Sequence, residues 1–232
     1  MIPARPDIAG LSLRLQYHFQ DPSILRQALA HRSWCSEHPG ELSNERLEFL
    51  GDAVLGFVVA DLAYERHADL PEGKLTDLRK AVVNAGSLAE VARSIGLGEE
   101  ILLGKGEAMA AGHDKPSILS DALEAVIGAV FIDGGIEPAK ALVERFVSPG
   151  LNLAVSQLDT LDQKTALQEL VAKLDLKAPS YVIDEEGPDH QKLFFAQVIV
   201  DGEVLGRGQG RSKKVAEAQA AREAGARLRE RR

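Results

Sequence analysis

The stretch that decides the fold is "NERLEFLGDAVLGFVVADLAY", residues 44–64. Its apolar residues recur at helical spacing and contain no proline, so the pattern predicts one long helix over 44–67. Three acids interrupt it. At about 100° per residue, Glu45, Glu48 and Asp52 fall within about 60° of one another, while Leu47, Leu50, Val54, Phe57 and Val58 cluster on the other side. Like charges one turn apart destabilise a helix by a few tenths of a kcal/mol per pair, and no lysine shares the stripe. Phe49 and Leu55 flank it, which points to partial burial. Burying acids together costs still more unless a cation joins them.

A second pair answers the first. "SILSDALEAVIGAVF" sets Asp121 and Glu124 three residues apart in an otherwise apolar helix, bordered by Ala125 and Gly128, which would let another helix or a substrate backbone come close. If the two helices pack side by side, Glu48, Asp52, Asp121 and Glu124 form a four-carboxylate cluster. Ligands of oxygen alone suit Mg²⁺ or Mn²⁺. The chemistry they support is activation of water and stabilisation of charge on a phosphate.

Composition narrows the setting. The chain has 232 residues and 45% apolar content, enough for one large domain or for a medium and a small one. No apolar run is long enough to span a bilayer, and "MIPARPDIAG" lacks the order of a secretory signal, so a cytoplasmic location is expected. Cys35 is the only cysteine, which excludes intrachain disulfides and thiolate zinc sites. The net charge of −8 is unevenly spread. Residues 1–150 carry 14 Lys+Arg against 22 Asp+Glu, whereas residues 204–232 carry 9 Lys+Arg against 3 Glu. An acidic body is followed by a basic end.

The periodicity changes at the same place. Residues 8–150 read as helix after helix, with apolar periods in 23–31, 44–67, 73–95, 117–132 and 136–147, and "KGEAMAAGHDKP" as a loop. An Asp cap and a first-turn proline open "DPSILRQALAH". After "SPGLNLAVSQLDTLDQ", the best linker candidate, come a helix (162–174), three alternating segments "SYVIDEEG", "LFFAQVIVDG" and "EVLGRGQG", and a final helix (212–230). The fold class expected is an all-α N-terminal domain, residues 1–156, followed by a small α+β domain of order α-β-β-β-α, residues 161–232.

"NERLEFLGDAVL", with "HRSWCSEHPGELS" before it, closely resembles the signature of bacterial ribonuclease III; "PEGKLTDLRKAVVNAGSLA" and "SILSDALEAVIGAVFIDGG" resemble its later blocks in the right order. The resemblance covers nearly the whole chain. It implies a helical, homodimeric, Mg²⁺-dependent endonuclease that cuts double-stranded RNA, with Mn²⁺ as a substitute. Carried over position by position, it makes Glu48, Asp52, Asp121 and Glu124 the metal ligands, Asp52 and Glu124 catalytic, and Glu45 and Glu72 further acids of the cleft. It places much of the dimer interface on the apolar side of "LEFLGDAVLGFVV". The expected products are 5′-phosphate and 3′-hydroxyl ends with short 3′ overhangs, and the expected substrates are ribosomal RNA precursors and structured messenger RNA.

"KTALQELVAK", "GPDHQKLFFAQVIVDG" and "GRSKKVAEAQAAREA" together resemble the double-stranded RNA-binding domain. By that resemblance Thr165, Gln168 and His190 enter successive minor grooves and contact 2′-hydroxyls. Arg211, Ser212, Lys213 and Lys214 sit where a helix start also favours phosphate, and are expected to bridge the major groove. His31, Arg32, His38 and His113 read as structural rather than as acid-base groups. Asn84 matches a position near the family's cleft and fits a helix start equally well. "GEAMAAGHDKP" departs from the family pattern, which favours another acid, a Gly pair and an Arg there. The main rival is a non-catalytic RNA-binding protein on the same scaffold; the retained acids argue against it.

Overall fold

The computed structural model describes residues 6–188 and 192–230, apart from the side chains of 156, 157 and 159–162. They fall into two compact units, the first ending at Ala154 and the second beginning at Val155.

The first unit is helical: α1 (Ile8–Leu15), α2 (Pro22–Ala28), α3 (Arg32–Glu37), α4 (Glu45–Arg66), α5 (Glu72–Val83), α6 (Ala85–Ser94), α7 (Lys105–Met109), α8 (Pro116–Gly134) and the first part of α9 (Ile136–Lys173). Its centre is α8, apolar around most of its circumference, with Leu119, Leu123, Val126, Ile127 and Val130 essentially fully buried. Each such side chain contributes about 1.5–3 kcal/mol by leaving water. Against α8 lies α4, which buries Leu47, Val54, Leu55, Val58, Val59 and Leu62. The crossing is close because two glycines face it. A Cβ on Gly51 would stand 1.8 Å from the carbonyl oxygen of Glu124, and one on Gly128 would stand 2.3 Å from that of Leu47. The small residues beside the second acid pair therefore admit another helix.

Local chemistry explains where the elements differ from the apolar periods. Residues 73–95 form two helices instead of one. Asn84 has extended backbone (ψ 153°), and its side chain accepts the N–H of Ser87, so it ends α5 and caps α6. The stretch 104–116 is not a plain loop: it holds α7 and a 3₁₀ turn at Gly112–Asp114. The segments 136–147 and 162–174 belong to the single helix α9, which carries Pro149 inside it, so "SPG" is helical. Asp21 does cap α2, accepting from Ser23 N–H, with Pro22 in the first turn. No helix among the described residues is long and apolar enough to cross a membrane.

The second unit follows the α-β-β-β-α order. β1 (Ser180–Glu186), β2 (Leu193–Val200) and β3 (Glu203–Gly210) form an antiparallel sheet in the order β1-β2-β3, followed by α10 (Lys213–Glu230). Asp201 and Gly202, both at positive φ, make the tight turn between β2 and β3. The core joins Leu167 and Val171 of α9, Ala196, Val198 and Val200 of β2, Leu205 of β3, and an alanine face of α10 made by Ala216, Ala220, Ala221 and Ala224.

Candidate catalytic cleft and RNA-binding surface

The α4–α8 crossing brings the two acid pairs together. Glu48, Asp121 and Glu124 each offer a carboxylate oxygen, and these atoms lie within 4.8 Å of one another. Ligands about 2.0–2.1 Å from a six-coordinate Mg²⁺ stand about 3–4 Å apart, so this donor set fits a single hard divalent cation. Asp52 is exposed and is not one of the three. Its charge is nevertheless the strongest of those acting on Glu124.

The electrostatics show what the arrangement costs. Glu124 is half-buried and its pKa is pushed up to about 7, first by burial and then by the charges of Asp52, Asp121 and Glu48. Burial, followed by Asp121, Glu45 and Asp52, raises Glu48, with Arg32 opposing. Asp121 is raised by burial too, against a hydrogen bond from Ser120 and the charges of His31 and Arg32. Without a counter-charge all three carboxyls are easier to protonate than usual; a cation would relieve the same repulsion.

A cleft of about 470 Å³ opens beside the cluster, lined by Glu45, Glu48 and Asp121 and by His31, Arg32, Asn44, Glu107, Lys115, Ser117 and Ile118. Its far wall is tied down by backbone bonds. His31 N–H donates to Leu102 O (3.1 Å), Leu102 N–H to Leu29 O (2.8 Å) and Asn44 N–H to Ala30 O (2.9 Å). Ser33 Oγ accepts Gly104 N–H (2.9 Å) and Glu37 accepts Lys105 N–H (2.7 Å). His31 caps α3: its Nδ1 accepts Ser33 N–H at 3.3 Å, and burial lowers its pKa against the neighbouring acids. His38 stacks on Trp34 with ring centroids 3.5 Å apart. Both histidines have structural partners.

The other acids are placed differently. Glu45 lines the cleft, exposed, and accepts the hydroxyl of Ser43 (2.8 Å). Glu72 is exposed at the start of α5 and accepts the hydroxyl of Thr76 (3.0 Å). Sequence reasoning missed Glu107 and Lys115, whose 2.5 Å ion pair lies on the cleft wall. They come from α7 and the residue before α8, a stretch with no apolar period to signal its fold. Phe49, one of the two apolar residues flanking the acidic stripe, is 81% exposed; with Phe57 (60%) and Tyr64 (73%) it makes an open apolar stripe along α4.

On the second unit, Thr165 and Gln168 are exposed one turn apart on α9. Arg211, Ser212, Lys213 and Lys214 are exposed at the start of α10. There Ser212 Oγ accepts Val215 N–H (3.3 Å), and the Lys213 ammonium lies 5.9 Å from the Phe194 ring centroid. His190 lies outside the described residues, as do Arg231 and Arg232.

A helical unit with an acidic cleft, followed by a sheet-and-helix unit with a basic helix start, defines a nuclease domain joined to an RNA-binding domain. Residues 21–151 match the family model described as ribonuclease-III-like, and residues 163–228 match that of the double-stranded RNA binding motif. The chain is 54% identical over 203 residues to Ribonuclease 3 of Thermobifida fusca, covering 88% of this chain and 85% of the relative. It is 52% identical over 211 residues to Ribonuclease 3 of Streptomyces coelicolor, covering 91% and 76%. The solved nuclease domain of ribonuclease III from Campylobacter jejuni superposes with a TM-score of 0.58 at 44% identity, covering 62% of this chain and 95% of that one. Another structure of that nuclease domain, with a TM-score of 0.58 at 44% identity and covering 62% and 98%, is described for structural flexibility in a region involved in dimer formation. The chain belongs to the ribonuclease III family of double-strand-specific endoribonucleases.

Proposed function

We propose that this protein is a divalent-metal-dependent, homodimeric endoribonuclease that hydrolyses phosphodiesters in double-stranded RNA and leaves 5′-phosphate and 3′-hydroxyl ends with short 3′ overhangs. The observation that carries the reading is the convergence of Glu48, Asp121 and Glu124 on one point, with Asp52 acting on Glu124. Glu48, Asp121 and Glu124, joined by Asp52 once an ion is bound, would hold Mg²⁺, for which Mn²⁺ would substitute; the ion would supply an activated water and neutralise charge developing on the attacked phosphate. The chain's own part is preorganisation. The glycine crossing fixes the carboxylates before substrate arrives, so little reorganisation is needed during the reaction. Asp52 and Glu124 act closest to the chemistry, and the Asp52 charge is the strongest of those bearing on Glu124. Glu45 and Glu72 contact the substrate or the partner subunit.

The nuclease domain spans residues 1–156 and the RNA-binding domain residues 161–232. Thr165, Gln168 and His190 read the minor groove, while Arg211, Ser212, Lys213 and Lys214 hold phosphates across the major groove, so A-form shape is recognised rather than sequence. The exposed Phe49, Phe57 and Tyr64 stripe supports dimerisation, since a row of aromatic rings open to water marks an interaction surface. Ribosomal RNA precursors and structured messenger RNA in the cytoplasm supply the duplexes.

Incubation of the wild-type chain with a long perfect RNA duplex, and with its single strands, in Mg²⁺ and in Ca²⁺ tests the reading. Cleavage of the duplex alone, in Mg²⁺ alone, with 5′-phosphate ends is the result it requires. Binding without cleavage in any divalent ion would make this an RNA-binding protein on a nuclease scaffold.

A further inference from the structure

The cleft carries two fixed cations, Arg32 and Lys115, opposite the acids Glu45, Glu48 and Asp121. Their situations differ. The Lys115 ammonium sits 2.5 Å from Glu107 Oε1, so its charge is already answered. Arg32 is exposed, and among the described residues its guanidinium has no ion-pair partner. Its field still reaches Glu48, Asp121 and Glu107, each of whose carboxyls it favours in the ionised form.

A guanidinium placed to neutralise carboxylates normally forks onto one of them with two parallel hydrogen bonds. Arg32 stands within electrostatic range of three and forks onto none of them. That leaves the oxygens of Glu48 and Asp121 available to a cation, and leaves the guanidinium fork available to an anion. Its backbone is not free to wander: Arg32 opens α3 between the His31 cap and Ser33, whose hydroxyl is fixed to Gly104 N–H. A rigidly based, unpaired arginine beside an acidic cluster also offsets the repulsion that cluster would exert on an incoming polyanion.

We propose that Arg32 is a substrate-binding residue that grips the non-bridging oxygens of an RNA phosphate in the cleft, while Glu107 withholds Lys115 from the same task. The inference rests on the endoribonuclease reading above for the identity of the anion. It adds a positioning contact on the nuclease domain, separate from the phosphate contacts at the start of α10.

The test compares full-length wild type, Arg32→Ala and Arg32→Lys in two assays. One is equilibrium binding of a short RNA duplex in Ca²⁺ over a series of KCl concentrations; the other is steady-state cleavage in Mg²⁺. Arg32→Ala should reduce the slope of log K against log salt by about 0.7–0.9, one phosphate contact, and raise KM about tenfold. Arg32→Lys should keep the slope, because the charge remains, and recover only part of KM, because the fork is lost. Thermal melts of both variants check folding, and Arg32→Lys carries the comparison should the alanine variant fold poorly. Wild-type slope and wild-type KM in Arg32→Ala overturn the proposal. So does a shift confined to the Mg²⁺ concentration needed for half-maximal rate, which would make Arg32 a counter-charge to the carboxylates. Absence of cleavage by the wild type would instead sink the endoribonuclease reading, and the salt slopes would still decide the role of Arg32.

Discussion

The α4–α8 crossing and the start of α10 both concentrate charge, yet they are built on opposite plans. At the crossing, acids of one sign are pressed together, half-buried, on two helices that pack against each other through buried apolar faces. At α10, cations are exposed to water at a helix start, where the positive end of the dipole opposes them only weakly and favours a bound phosphate. The first arrangement costs stability and is held in place by packing that tolerates no extra atom. The second costs little, since water screens the exposed charges, and it depends little on exact placement. That contrast separates cutting from holding: bond cleavage needs charges fixed against their own repulsion, whereas shape recognition needs only exposed charges at roughly the right spacing.

The contrast breaks most visibly at the glycines. Gly51→Ala puts a methyl carbon 1.8 Å from Glu124 O, a backbone atom that cannot step aside alone. It should cost about 2–4 kcal/mol in denaturant unfolding of the nuclease domain and abolish cleavage with it. Retention of wild-type stability would mean that the crossing is not the tight contact described.

A smaller effect is expected on the other surface. Lys213→Ala and Lys214→Ala should each weaken duplex binding about tenfold and evenly across sequences, with the salt slope lower by about 0.7–0.9 per residue. Cleavage at saturating RNA should stay near wild type. A fall in the saturated rate would show that holding and cutting are not separable.

The smallest effect is a pH signature. Glu124 titrates at about 7 in the folded chain, against an ordinary value of 4.5. Between those values the folded state keeps a proton that the unfolded state has lost, so without metal the stability falls as pH rises through that window. After allowance for solvent in a half-open cleft, the loss is on the order of 1 kcal/mol. Glu124→Gln should flatten the melting-temperature profile between pH 4.5 and about 7, and Mg²⁺ should restore wild-type stability at the alkaline end. A metal-free profile that is the same in wild type and variant would remove the strain from the account.

Much of this was legible in the sequence, and the reason differs by region. Helices α4, α8 and α10 and the three strands announce themselves because each presents several repeats of one period. Helices α3 and α7 do not, being six and five residues long. The break at Asn84 depends on a side-chain cap that leaves the apolar period running through it. The acids could be chosen by type and spacing, but that Glu48, Asp121 and Glu124 converge while Asp52 stands outside them follows from how two helices cross. Phe49 and Leu55 flank the acids and suggest that the acidic stripe is partly buried; Leu55 is core and Glu48 partly buried, but Phe49 belongs to an aromatic stripe open to water that no period reveals. Glu107 and Lys115 come to line one cleft with Arg32 through ties between segments about seventy residues apart, such as Gly104 N–H to the Ser33 hydroxyl (71 residues). No local pattern records such a tie.

The most direct test of the central claim, that the carboxylate crossing cuts and the rest of the molecule holds, is a paired measurement on wild type and Glu124→Gln. Cleavage of a long RNA duplex in Mg²⁺ is read beside a gel shift of the same duplex in Ca²⁺. The account predicts that Glu124→Gln loses cleavage by about a thousandfold or more while its gel shift matches wild type. Cleavage by the variant at a rate near wild type would contradict it, and would place the chemistry away from the α4–α8 crossing.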